Sequence, residues 1–184
     1  MAAKAKKKAA ALVKTKPGLV SYPNLFKPQL YQGKLKYGVT LVFQNPKDAD
    51  VLRKAADEAI KEHYPTGKAP KNFSLPFHLG AEKEDEEGNL PNGYTPDCVY
   101  VKFSRLESFG QPTVVGPDVQ PASVADIYPG CYGIVACRPF IWEHESGNKG
   151  LSFGLEGFQK VRDGERIGGY DPLDAEETFE VVEE

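Results

Sequence analysis

The chain has one Trp, one Met, three His and three Cys in 184 residues, and each scarcity removes a class of protein. No apolar run approaches the ~20 residues that a membrane-crossing helix needs. Cys98, Cys131 and Cys137 are odd in number and contain no C-x-x-C pair. They offer neither zinc spacing nor a disulfide framework, and their strand-like surroundings read as buried thiols of a reducing compartment. His63, His78 and His144 are scattered, and H-E-x-x-H, G-x-S-x-G and glycine-rich phosphate-loop patterns are missing, so no catalytic centre, metal or other cofactor is expected. The N-terminal segment lacks the apolar core of a secretory signal and the Arg and Ser enrichment of a transit peptide, which points to the cytoplasm.

Acids are missing from residues 1–16 and bases from residues 171–184. The first stretch carries Lys4, Lys6, Lys7, Lys8, Lys14 and Lys16; the last carries Asp171, Asp174, Glu176, Glu177, Glu180, Glu183 and Glu184. Like charges in blocks repel one another and stay solvated. The expected organisation is a basic disordered arm over 1–16, one domain over 17–170 and an acidic disordered tail over 171–184. A domain of that length can bury a core without covalent staples.

Within the domain, residues 18–28 read as an extended aromatic segment whose two prolines exclude a helix and limit it to an edge strand. Residues 35–43 alternate: Leu35, Tyr37, Val39, Leu41 and Phe43 are apolar, the period of a half-buried strand. Residues 46–64 predict the single helix, with Pro46 in its first turn, Asp48 and Asp50 at the positive end of its dipole, and Leu52, Ala55, Ala56, Ala59 and Ile60 at helical spacing. Residues 65–96, with acids at 82, 84, 85, 86 and 87, read as an exposed insertion. Strands follow over 97–104, 112–117, 130–144 and 150–161, the third interrupted by Pro139, where a bulge or bend is expected. Five or six strands and one helix, without helix–strand alternation, fit a small barrel or sandwich. The reading is a mainly β, five-stranded antiparallel OB-type barrel with one α-helix, flanked by the charged tails.

The strands interleave rings and cations on one face. With Val135, Cys137 and Ile141 inward, Tyr132, Arg138, Phe140 and Trp142 point outward. Tyr100 and Lys102 lie opposite Val99, Val101 and Phe103, and Lys36 and Thr40 do the same on the first long strand. Rings for unpaired bases and cations for phosphates are what a sequence-tolerant single-strand binder needs. The expected DNA-binding residues are therefore Lys36, Tyr100, Lys102, Tyr132, Arg138, Phe140 and Trp142. The acidic tail, with Asp174, Glu176, Glu177, Phe179 and Glu180, can occupy a cationic groove as a polyanion mimic until DNA displaces it and frees it for partner proteins.

Four motifs, in order, carry a resemblance: S-Y-P-N-L-F at 21–26, K-Y-G-V-T-L-V-F-Q-N-P-K at 36–47, D-I-Y-P-G-C-Y at 126–132, and N-K-G-L-S-F-G-L-E-G-F-Q-K-V-R-D-G-E at 148–165. Together, over about residues 18–168, they resemble the phage OB-fold single-stranded-DNA-binding proteins, a family once classed as a domain of unknown function. The resemblance implies an OB barrel and a non-enzymatic role in phage DNA replication, recombination or repair within the host cell. Phe179 resembles the aromatic of the acidic tails of other phage single-strand binders. Expected partners are single-stranded DNA, duplex DNA as a second nucleic acid, replication proteins through the tail, and a homodimeric copy; no membrane is among them. The competing readings are an acidic-tailed protein-interaction or chaperone module without nucleic-acid binding, drawn from the acidic loop, the acidic tail and the net charge of −3, and a metal-dependent nuclease.

Overall fold

The computed structural model describes residues 10–167. They form nine strands and one α-helix: β1 (Val13–Lys14), β2 (Gly18–Tyr31), β3 (Lys34–Phe43), α1 (Asp50–His63), β4 (Phe73–Ser74), β5 (His78–Leu79), β6 (Val99–Leu106), β7 (Thr113–Val115), β8 (Tyr132–Glu143) and β9 (Lys149–Arg162). Five of the strands close a ring in the order β2-β3-β6-β9-β8 and back to β2. The barrel is thus mainly β with one helix, as the sequence implied, except that it is not wholly antiparallel. β6 and β9 run parallel, pairing Phe103 with Phe153 and Ser104 with Gly154. An odd number of strands cannot alternate direction all the way round a closed ring, so one contact must be parallel.

The period of two in β3 places Tyr37, Val39, Leu41 and Phe43 in the core beside Val101 and Phe103 of β6, Val135 and Cys137 of β8, and Leu151, Phe153 and Leu155 of β9. Each fully buried side chain of this size contributes roughly 1.5–3 kcal/mol. Leu35 departs from the pattern, being exposed at the β2–β3 hairpin. The helix begins as a tighter 3-10 turn over Pro46–Ala49, capped by the Asn45 side chain, which accepts the Lys47 N–H at 3.1 Å. Leu52, Ala55, Ala56 and Ile60 of α1 then join the core, and Tyr64, extended before Pro65, stops it.

Four further expectations change. The segment at 18–28 is not confined to an edge, because β2 pairs with β8 through Gly18 and Leu19 and with β3 on its other side. Pro139 makes no bulge: it pairs in register with Phe153, and the register shifts of β8 fall at Tyr132/Gly133 and Ala136/Cys137 instead. The other edge of β8 is paired only as far as Cys137, by Val13, so a residue without an N–H is accommodated beyond it. Residues 10–16 belong to the fold and not to an arm. Val13–Lys14 pairs with β8, and Thr15 exchanges bonds with Val135, its hydroxyl accepting that residue's N–H at 3.0 Å. Finally, residues 65–96 are more than an exposed insertion, since they supply β4, β5 and buried Tyr94. Gly80 seats this segment: a Cβ there would stand 1.8 Å from the Thr95 carbonyl oxygen, and its N–H donates to the Cys98 carbonyl at 2.7 Å.

The ring is staggered. From β3 one way, Val42 pairs with Leu19 and Leu19 with Tyr132. The other way, Val39 pairs with Phe103, Phe103 with Phe153 and Phe153 with Pro139. The two routes reach opposite halves of β8, as strand tilt requires in a closed barrel. All three cysteines are free and buried, and burial, with Glu156 adding to it, pushes the Cys137 thiol up to about 12.

Candidate nucleic-acid interface

The outer side of β3, β6, β9 and β8 is built in rows. In one, Gly38 faces Ser104, Ser104 faces Gly154, and Gly154 faces Arg138. In the next, Thr40 faces Lys102 and, across the neighbouring ladder, Ser152 faces Phe140. Small side chains therefore floor a strip with a cation and a ring standing over it. Phe140 is 46% exposed, and its ring passes 3.8 Å from where a Cβ on Gly154 would be. Lys102 is exposed.

Trp142 leans over Gly150, and its indole N–H donates to the Ser152 hydroxyl at 3.0 Å. That bond ties the only tryptophan to the residue between Lys102 and Phe140. Arg138 is partly engaged: it donates to the Ala10 carbonyl and lies 3.7 Å from Glu156, which also meets Arg105 at 3.3 Å. Lys36, at the hairpin end of the surface, stands 5.6 Å from the Tyr31 ring. The strand register thus puts Lys36, Lys102, Arg138, Phe140 and Trp142 on the outer side of β3, β6 and β8.

Tyr100 and Tyr132 are not on it. Tyr100 is 5% exposed, stacked on His78 at 5.1 Å and flanked edge-on by Tyr94 at 5.5 Å, and burial raises its phenol pKa. It points to the outside of the barrel as its parity demands, but residues 80–98 cover it, so no base can stack there. Tyr132 packs into the same covered cluster, with Leu19, Val42 and Tyr94, beneath the Arg162 guanidinium at 3.9 Å. The stagger carries it away from Phe140. Asp174, Glu176, Glu177, Phe179 and Glu180 lie outside the described residues.

Tyr22 and Lys83 escaped the sequence reading. Tyr22 is 57% exposed in a left-handed backbone conformation, φ 47°, at a register shift of β2. Such a conformation in a bulky residue marks a special position, though nothing short of coordinates reveals it. The Lys83 ammonium lies 5.1 Å from the Tyr22 ring, 5.3 Å from Tyr100 and 5.9 Å from Tyr94. The one base among the acids at 82–87 thus pins that segment over β6. The acids themselves are dispersed by local bonds: Glu82 meets His78 Nδ1 at 3.0 Å, and Asp85 accepts the Asn89 N–H at 2.8 Å. Among the described residues no helix is long and apolar enough to cross a membrane.

The sequence model of a family described as "Enterobacter phage Enc34, ssDNA-binding protein" matches residues 11–184. Among solved structures, the single-stranded DNA-binding protein from bacteriophage Enc34 in complex with ssDNA superposes with a TM-score of 0.64 at 23% identity, covering 89% of this chain and 100% of that one. A second structure of that protein gives 0.61 at 23% identity over 96% and 97%. gp2.5, a single-stranded DNA-binding protein encoded by bacteriophage T7, gives 0.57 at 17% identity over 94% and 96%. No curated protein matches the sequence.

Proposed function

The chain belongs to the family of the Enterobacter phage Enc34 ssDNA-binding protein, and from that premise we propose that it binds single-stranded DNA without sequence preference on the outer side of β3, β6, β9 and β8. The observation that carries this reading is the row in which exposed Phe140 and exposed Lys102 flank a floor of small residues. Bases stack on the ring, and phosphates meet Lys102, Lys36 and Arg138. Every base has a flat face and no rigid donor–acceptor pattern lines the strip, so discrimination among bases is weak. Trp142 reports on occupancy through Ser152: titration with oligo-dT is expected to change its fluorescence, with affinity falling steeply as salt rises. Absence of binding even at ~20 mM salt would reject the proposal.

In this reading the acidic tail lowers DNA affinity until a strand displaces it, then contacts replication proteins, while the lysines of residues 1–9 add phosphate contacts. Removing residues 171–184 is expected to tighten oligo-dT binding most at low salt; equal or weaker binding by the truncated protein counts against the mimicry. The protein acts without catalysis in phage DNA replication, recombination or repair in the host cytoplasm, so DNA incubated with it and magnesium is recovered intact. Comparing oligo-dT, duplex and RNA, with sedimentation of the free chain, tests the duplex and homodimer expectations.

A further inference from the structure

From Ser152 to Arg162 β9 runs ten residues, about 33 Å of extended strand, and at that far end stands a second group of rings and cations. The Arg162 guanidinium lies 3.9 Å from the Tyr132 ring centre. The Tyr128 ring has Arg166 at 4.9 Å and Lys160 at 5.1 Å. A groove of about 510 Å³ adjoins them, lined in part by Lys160, Arg162, Gly116 and Gln120.

Three carboxylates border the groove, and each is occupied by an internal donor. Asp118 accepts the Gln120 N–H at 3.1 Å. Asp126 accepts the N–H and hydroxyl of Ser123 at 2.8 and 3.0 Å. Asp163 is held by the Lys160 ammonium at 2.6 Å and the Tyr128 hydroxyl at 2.8 Å, and those partners, Lys160 foremost, keep its carboxyl below the usual range. Arg162 and Arg166 are exposed and, among the described residues, neither enters an ion pair. A guanidinium already settled on a ring loses little further freedom when it grips a phosphate bidentately.

We infer that this end of β9 is a second phosphate-binding surface for the same strand, which leaves the Lys102–Phe140 row and continues along β9 to Arg162 and, just past the end of β9, Arg166. The inference rests on the single-strand-binding reading above and adds a path to it. Glu165, exposed between the two arginines in the chain, opposes their charge.

The test compares oligo-dT of about 6 and about 16 nucleotides, within the range one OB fold occupies, on the full chain and its Arg162→Ala/Arg166→Ala variant. The short oligonucleotide is expected to bind both equally. The long one should bind the variant more weakly, with a plot of log K against log salt shallower by about 1.4, at about 0.7 per lost phosphate contact. Arg162→Lys/Arg166→Lys should restore the slope, and Glu165→Gln should tighten the long complex alone. Equal long-strand affinity and slope in variant and parent would overturn the second surface, as would an equal loss at both lengths. A parent chain that binds neither length fails earlier, at the function itself.

Discussion

Phe140→Ala is expected to weaken oligo-dT binding by about 1–3 kcal/mol, roughly 5- to 150-fold at fixed salt, the value of one base stacked on one ring. Phe140 is the most exposed ring of the row and rests on Gly154, so its removal opens no cavity in the barrel core. Lys102→Ala should act differently: it removes a phosphate contact and makes the salt dependence shallower by about 0.7 while leaving affinity at high salt nearly unchanged. Anisotropy titrations at two salt concentrations separate these signatures. An unaltered dissociation constant for Phe140→Ala, in protein with the parent's melting temperature, would remove this row from the interface.

Tyr94→Ala is expected to cost about 3–5 kcal/mol of folding stability, the range for truncating a buried aromatic, whereas Tyr94→Phe should cost about 1 kcal/mol, one hydrogen bond. The ring is the part of residues 80–98 that packs edge-on to Tyr100, and its hydroxyl donates to the Ser21 hydroxyl at 3.0 Å. Burial pushes the phenol from the usual 10.0 up to about 12. A phenol raised in the folded state stabilises it fully below the unfolded value and loses that contribution as pH climbs from about 10 toward 12. The parent should therefore lose stability in that window faster than Tyr94→Phe. Urea denaturation at pH 8 and pH 11 reads both effects, and parallel losses at the two pH values would show that Tyr94 is not held neutral by the fold.

Periodicity made β3, α1, β6 and the β8–β9 pair legible, because each buries one face along one axis. What it could not convey is what covers the other face. Tyr100 alternates as a surface residue should, yet a segment that reads as solvated loop folds over it through Gly80, Tyr94 and Lys83. Parity along one strand also carries no information about position around a tilted ring. Tyr132 and Trp142 share a face of β8, but the first meets Leu19 and the second Gly150, at opposite ends of the strand. Pro139 misled for a related reason, since its tolerance depends on an unpaired edge that only the pairing of β1 defines. The proposed interface was thus readable only as a composition of rings and cations, five of the seven residues sharing the outer side of the sheet and two lying under cover; Arg162 and Arg166 went unseen because their partners Tyr132 and Tyr128 are distant in the chain.

The pairing of Val13 with Cys137 and Lys14 with Ala136 fastens the first described residues to β8, and the Ala10 carbonyl adds a bond to Arg138 of the same strand. Lys8 is five residues from Val13, at most about 18 Å of fully stretched chain, and Val13 is fastened to the strand that bears Phe140. Lys4, Lys6, Lys7 and Lys8 precede that pairing by five to nine residues of the sequence. In the reading proposed above, a polyanion held at the interface meets these lysines as part of the same chain and not as a separate partner from solution.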